Sequence, residues 1–183
     1  VLNSNTFGLY MNRSKVLADL VSSATGAKTH YDVWWAQMSD AKPQFFRSMN
    51  EHSDFFRASQ DAHYTACFIY LAHLFDKRSD SSSLPTYLAL IREETDPTKF
   101  QDIESSYTAL ANRAAPLVTV RHKTVAHIDA RLSEKDVFSP LNITWNEVRR
   151  IIYDAATFID NLPVLLIKVL SEFLVMGGLV RLR

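Results

Sequence analysis

The chain has 183 residues, which suits one domain, and its 47% hydrophobic and 22% charged residues are the balance of a folded globular protein, not a disordered one. Only four glycines are present, which argues against a turn-rich all-β fold and favours long helices. Twenty basic side chains balance twenty acidic ones, so no overall positive field exists to hold nucleic acid, and any contact with RNA has to be local.

Hydrophobic spacing predicts helices along most of the chain. The first covers residues 9–24, and residues 30–38 are either a short helix or the tail of the first one after a break near Gly26. Pro43 opens a second helical stretch. A long helix follows from about Asp54 to Asp76, because its apolar side chains keep the three-to-four spacing of a packed helix face.

The middle of the chain predicts a loop and two further helices. The Ser-rich run 79–83 is the loop, and a short helix follows at about 84–94 with Pro85 in its first turn. Asp96-Pro97 begins the next helix, and Pro116 is expected to kink it without necessarily ending it. The apolar stripe of this helix consists of Phe100, Ile103, Tyr107, Leu110, Ala114 and Leu117.

The last part of the chain predicts a loop at residues 129–142 and then one long helix. Thr144 and Glu147 have the spacing of a capping box at its start, and Gly177-Gly178 resembles a stop signal. Its apolar stripe consists of Trp145, Val148, Ile152, Ala155, Ile159, Leu162, Leu166, Val169 and Phe173. Together the elements predict an all-α fold, a bundle of about four to six helices that forms a single domain over residues 1–183.

Arg121 is the first candidate functional residue. Continuing the spacing past Leu117 places this arginine where an apolar side chain is expected. Because a buried unpaired charge is costly, Arg121 must have a carboxylate partner, line a cleft or face another subunit. A structural ion pair with Asp76, Asp129 or Glu134 therefore stands beside a catalytic role.

His127 follows Arg121 by six residues, about 120° further round a helix, and Thr124 lies midway. Arginine holds phosphate oxygens bidentately and histidine moves protons near neutral pH, so the set suits a phosphodiester. Alternative readings are a helix-end histidine interacting with the helix dipole, and a solvated face for His122 and Lys123.

Arg121 and His127, with five residues between them, resemble the R-x4-6-H motif of the HEPN superfamily. The stretch 62–90, in which Tyr70–Asp76 is followed by a Ser-rich loop and a short helix, resembles the abortive-infection branch of that superfamily. The resemblance covers roughly residues 55–170.

The resemblance implies a metal-independent endoribonuclease without a cofactor, a toxin or phage-defence protein that acts as a homodimer. Arg121 and His127 of both protomers would form the site, with the histidine in proton transfer and the arginine stabilising charge on phosphorus. His122 stands where the family often has asparagine. The candidate RNA- or nucleotide-binding residues are His122, Lys123, Thr124 and Asp76. An antitoxin protein is a further expected partner.

Two other functions remain open on the same residues: a non-catalytic HEPN-like module that binds a nucleotide or a partner protein, and a helical scaffold. No metal site is predicted, because no two histidines have the i,i+4 spacing of a helical zinc site. The single cysteine, Cys67, lies in an apolar stripe and fits the core of a cytoplasmic protein. The apolar run 162–175 is too short and too interrupted to span a membrane.

Overall fold

The computed structural model describes residues 4–39, 43–120 and 144–163, and within these ranges the chain forms six helices and no strand. The helices are α1 (Ser4–Met38), α2 (Pro43–Glu51), α3 (Ser53–Leu74), α4 (Leu84–Ile91), α5 (Pro97–Val120) and α6 (Trp145–Asp160). The prediction of an all-α bundle is therefore confirmed. None of these helices combines the length and the hydropathy that crossing a bilayer needs.

Helix α1 is one continuous helix, so the predicted break near Gly26 is wrong. α1 and α3 lie antiparallel, as the pairing of Gln37 with Ser59 and of Gly26 with Tyr70 shows. A Cβ atom at position 26 would stand 2.9 Å from Cγ and Cδ1 of Tyr70. The glycine therefore allows a ring to lie against the backbone of α1 and does not stop the helix.

Helix α5 carries the predicted stripe. Its buried residues are Phe100, Leu110, Ala114, Leu117 and Val120, and Ile103 and Tyr107 pack against the core at its edge. Pro116 lies inside the helix, which continues to Val120, so this proline does not end the helix. Burying each large apolar side chain of this kind stabilises the fold by roughly 1.5–3 kcal/mol.

Helix α6 begins as predicted but ends earlier. The Thr144 hydroxyl accepts a hydrogen bond from the backbone N–H of Glu147, which is the N-capping half of the predicted box. The helix ends at Asp160, and Pro163 follows, whose missing N–H and restricted backbone disfavour a helical continuation. The prediction that this helix continues to Phe173 is therefore wrong. The predicted loop at 129–142 and the stop at Gly177-Gly178 lie outside the described residues.

Aromatic rings fill the place where α1, α3 and α6 meet. The rings of Trp34 and Trp145 have centroids 4.2 Å apart, and Tyr64 and Phe68 of α3 contact Trp145. The hydroxyl of Tyr31 donates a hydrogen bond to the backbone oxygen of Trp145. This aromatic junction ties the first residue of α6 to the last two turns of α1 and to the middle of α3.

A partly buried ion pair joins the first half of α1 to the turn after α4. The Arg13 side chain is only 6% exposed, and its guanidinium donates to both carboxylate oxygens of Glu94. The short helix α4 ends at Ile91, three residues before the predicted limit, and the turn that follows places Glu94 against Arg13. Such bidentate pairs fix geometry as well as charge.

Candidate functional site

The end of α5 is the structural landmark for the predicted motif. The helix is described as far as Val120, which is fully buried, and Arg121 is the next residue in the chain. The predicted site residues that lie outside the described ranges are Arg121, His122, Lys123, Thr124 and His127. Asp129 and Glu134, two of the three carboxylates considered as partners of Arg121, lie outside them as well.

Asp76, the remaining predicted site residue, lies two residues beyond the end of α3. Its carboxylate accepts hydrogen bonds from the backbone N–H and from Nε of Arg78, both at 3.0 Å. Burial works to raise the pKa of Asp76, but these hydrogen bonds and the Arg78 charge outweigh it, so the pKa lies below its ordinary value. Asp76 is thus ionised at neutral pH and holds Arg78 in place.

Two cavities meet at this ion pair, and both are lined by His73, Asp76 and Arg78. One has a volume of about 360 Å³ and extends to Asp19 and to serines of α1 and of the Ser-rich loop. The other has about 640 Å³ and extends past Lys77 to Val118 of α5. We name the two cavities together the His73 groove; it leads from the Ser-rich loop to the end of α5.

Hydrogen bonds of its own serines fix the loop that walls this groove. Ser81 donates to the backbone oxygen of Arg78 at 2.7 Å, and Ser82 donates to the carboxylate of Asp19 at 2.6 Å. Hydrogen bonds from Lys15 and then from Ser82 lower the pKa of Asp19. The wall of the groove is therefore held by a charge-assisted hydrogen bond to α1 and by a neutral one to the backbone of Arg78.

A third cavity, of about 440 Å³, lies between α5 and α6. Arg113 projects from α5 and pairs with Glu147 and Asp154 of α6, and hydrogen bonds to Asp154 first and Glu147 second raise its pKa. Because two carboxylates neutralise this arginine, the cavity offers an anionic ligand little attraction. Arg113 serves to join the two helices.

The structure also brings together two histidines that sequence spacing does not connect. Nδ1 of His30 on α1 and Nδ1 of His63 on α3 are 2.8 Å apart, and the ring of Tyr70 stacks on His30. One of the two nitrogens must donate and the other accept, so at least one ring is neutral. Burial, and then the charge of His63, lower the pKa of His30. The pair was missed because its partners are 33 residues apart and only their helix pairing joins them.

The remaining candidates for chemistry are a metal site and the single cysteine thiol. No group of three or more His, Cys, Asp or Glu side chains suited to a metal ion occurs in residues 4–39, 43–120 and 144–163. Cys67 is buried in the core, as its place in an apolar stripe predicted, and burial raises its pKa to about 12. A thiol in that state is a poor nucleophile.

Comparison with known proteins identifies the family. Residues 14–173 match the HEPN_AbiU2 family, described as AbiU2, and this range includes Arg121, His127 and the His73 groove. The match begins earlier than the expected limit of residue 55 and takes in most of α1. No curated protein and no solved structure matches the chain. The all-helical architecture agrees with the family match, and the chain therefore belongs to the HEPN_AbiU2 family, an abortive-infection branch of the HEPN superfamily.

Proposed function

We propose that the protein is a metal-independent endoribonuclease of abortive infection, with Arg121 and His127 as its catalytic residues. Membership of the AbiU2 family supports the role in abortive infection. The observation that carries the nuclease proposal is the position of the Arg121–His127 motif, which begins directly after the buried end of α5. A guanidinium and an imidazole at this spacing provide the two groups that RNA cleavage without a metal needs.

The reaction is an internal transesterification. The ribose 2′-oxygen attacks the adjacent phosphorus while His127 removes the 2′-hydroxyl proton. A new O–P bond forms and the bond from phosphorus to the 5′-oxygen breaks; the leaving oxygen takes up a proton from water, and His127 returns its proton to the solvent. Arg121 stabilises the negative charge that develops on the phosphoryl oxygens. The products are one RNA end with a 2′,3′-cyclic phosphate and one with a 5′-hydroxyl.

Cleavage of a mixed RNA pool in EDTA tests this proposal. We expect the wild-type protein to cleave and to leave 2′,3′-cyclic phosphate ends, and Arg121→Ala and His127→Ala to abolish cleavage. His52→Ala is the matched control, because this histidine is exposed in the turn between α2 and α3. Unchanged cleavage by the two motif variants, with folding verified by circular dichroism, would show that the assignment is wrong.

A homodimer is part of the proposal, since the family resemblance implies that Arg121 and His127 of both protomers form one site. The zero net charge gives little repulsion between copies and is compatible with self-association. Size-exclusion chromatography with light scattering should give twice the mass of the 20.9 kDa chain at micromolar concentration. A monomer under these conditions would contradict the shared site. An antitoxin protein that silences the dimer is the further partner we propose.

A binding function without catalysis is the second candidate. It is favoured by His122, which occupies the place where the family often has asparagine, and by the zero net charge. In this case a nucleotide would raise the melting temperature while RNA remained intact. The helical scaffold alternative instead expects Arg121→Ala to lower stability and to leave every ligand response unchanged.

A further inference from the structure

The zero net charge requires that the protein hold RNA at a local cluster of cations, and the His73 groove contains such a cluster. The two cations are Lys77 and Arg78, which follow the end of α3, and His73 in the last turn of α3 lines the groove beside them. Building on the proposed nuclease function, we propose that this groove binds the phosphodiester backbone of single-stranded RNA next to the scissile phosphate, with Arg78 and Lys77 as its phosphate contacts.

Asp76 holds the Arg78 guanidinium in a fixed orientation, which favours such a contact. Its Nε and Nη2 both face the Asp76 carboxylate at 3.0 Å, which fixes the plane of the guanidinium. The side chain is nevertheless 71% exposed, and Nη1 has no partner among the residues that the structure describes. A guanidinium held by a carboxylate behind it loses less conformational entropy when it binds a phosphate in front.

The groove is lined by two basic side chains, Lys77 and Arg78, and by two acidic ones, Asp19 and Asp76, which both have partners. Asp76 pairs with Arg78, and the carboxylate of Asp19 at the opposite end accepts from Lys15 and Ser82. Lys77 is exposed and forms no ion pair in the described part of the chain. A phosphate entering the groove therefore meets Lys77, the free edge of Arg78 and the imidazole of His73, with both acidic groups already satisfied.

The position of the groove links it to the catalytic motif. Val118 lines it, and Arg121 is the third residue after Val118, a span of at most about 11 Å even in a fully extended chain. The two cavities, of about 360 and 640 Å³, have the size of small-molecule sites and accommodate nucleotide units. An RNA strand that follows the groove would thus reach the residues proposed to cleave it.

Binding is best measured in a His127→Ala background, where RNA is not cleaved. Fluorescence anisotropy with a short fluorescein-labelled oligouridine gives the Kd at several salt concentrations. We expect Arg78→Ala and Lys77→Ala each to raise the Kd roughly three- to tenfold and to reduce the slope of log Kd against log salt by about 0.7. Arg78→Lys should recover part of the loss, since it keeps the charge but not the planar fork.

Arg47→Ala is the matched control, because it also removes an arginine with a carboxylate partner, Glu51, but from α2 and outside the groove. It should leave the Kd and the salt slope unchanged. Equal Kd values for Arg78→Ala and Arg47→Ala at low salt would overturn the inference, and so would an oligonucleotide that does not bind at all.

Kinetic measurements of RNA cleavage distinguish the groove inference from the proposed nuclease function on which it rests. With His127 intact, Arg78→Ala should raise KM and leave kcat nearly unchanged, the pattern expected when a binding contact is lost. Cleavage that is insensitive to the groove variants would overturn the groove and keep the nuclease. RNA binding that depends on Arg78, without cleavage by any variant, would overturn the nuclease and keep the groove as an RNA-binding site.

Discussion

Gly26→Ala should have opposite effects on stability depending on what stands at position 70. Alanine is a better helix former than glycine by about 1 kcal/mol, so propensity alone predicts a gain. In the native chain the new Cβ would lie 2.9–3.0 Å from three ring atoms of Tyr70. Because Cγ is among them, the ring cannot move aside without a new rotamer, and overpacking of this kind costs about 1–3 kcal/mol. We therefore expect a net loss of about 1 kcal/mol.

In a Tyr70→Ala background the same substitution meets no ring and should stabilise the protein by about 1 kcal/mol. Urea unfolding followed by circular dichroism gives all four free energies of unfolding, and their cycle gives a coupling energy of roughly 1–3 kcal/mol. For a chain of this length each kcal/mol corresponds to a shift in Tm of roughly 2–4 °C. If Gly26→Ala stabilised the protein equally in both backgrounds, the close approach of α1 and α3 would have no energetic weight.

Three further predictions concern buried charged or ionisable groups. Glu94→Gln removes the charge facing the buried Arg13 and should lower the free energy of unfolding, measured by urea titration, by roughly 1–3 kcal/mol. Glu93→Gln, an exposed neighbour in the same turn, should have little effect. Cys67, with its pKa raised to about 12, should resist iodoacetamide at pH 8 until the protein unfolds; rapid native labelling, read by mass spectrometry, would contradict its burial. Because the pKa of His30 is lowered from 6.5 in the folded state, the folded protein binds fewer protons than the unfolded chain at acidic pH. The free energy of unfolding should therefore fall as pH drops below 6.5, and His30→Asn should make it depend less on pH.

Much of the fold follows from side-chain spacing. The stripe on α5 predicted four of the five buried residues of that helix, because its turns rest on one core, whereas Ile103 and Tyr107 lie at the edge of that core. Thr144 fixed the start of α6 since a hydroxyl at this position satisfies a backbone N–H locally. The prediction at Gly26 was wrong because a helix break and a close approach between two helices both favour glycine. Only the Tyr70 ring on the neighbouring helix distinguishes the two cases.

The candidate site was likewise predictable from the sequence only in part. Arg121 and His127 are recognisable in the sequence because their spacing is itself the motif. The His73 groove is not, because its two walls come from segments far apart in sequence, and Val118 joins it only through the packing of α5 on α3. Asp76, a candidate binding residue in the sequence, lines the groove, but its pairing with Arg78, two residues away, does not follow from the sequence pattern.

Intrinsic tryptophan fluorescence can be used to follow the aromatic junction. All three tryptophans of the chain, Trp34, Trp35 and Trp145, belong to this one cluster. Intrinsic tryptophan emission therefore comes from a single place, the contact between α1 and the first residue of α6. Trp145 is also the first helical residue described after the segment that carries Arg121 and His127. A change in emission on adding RNA would thus report on this contact between α1 and α6, without any label.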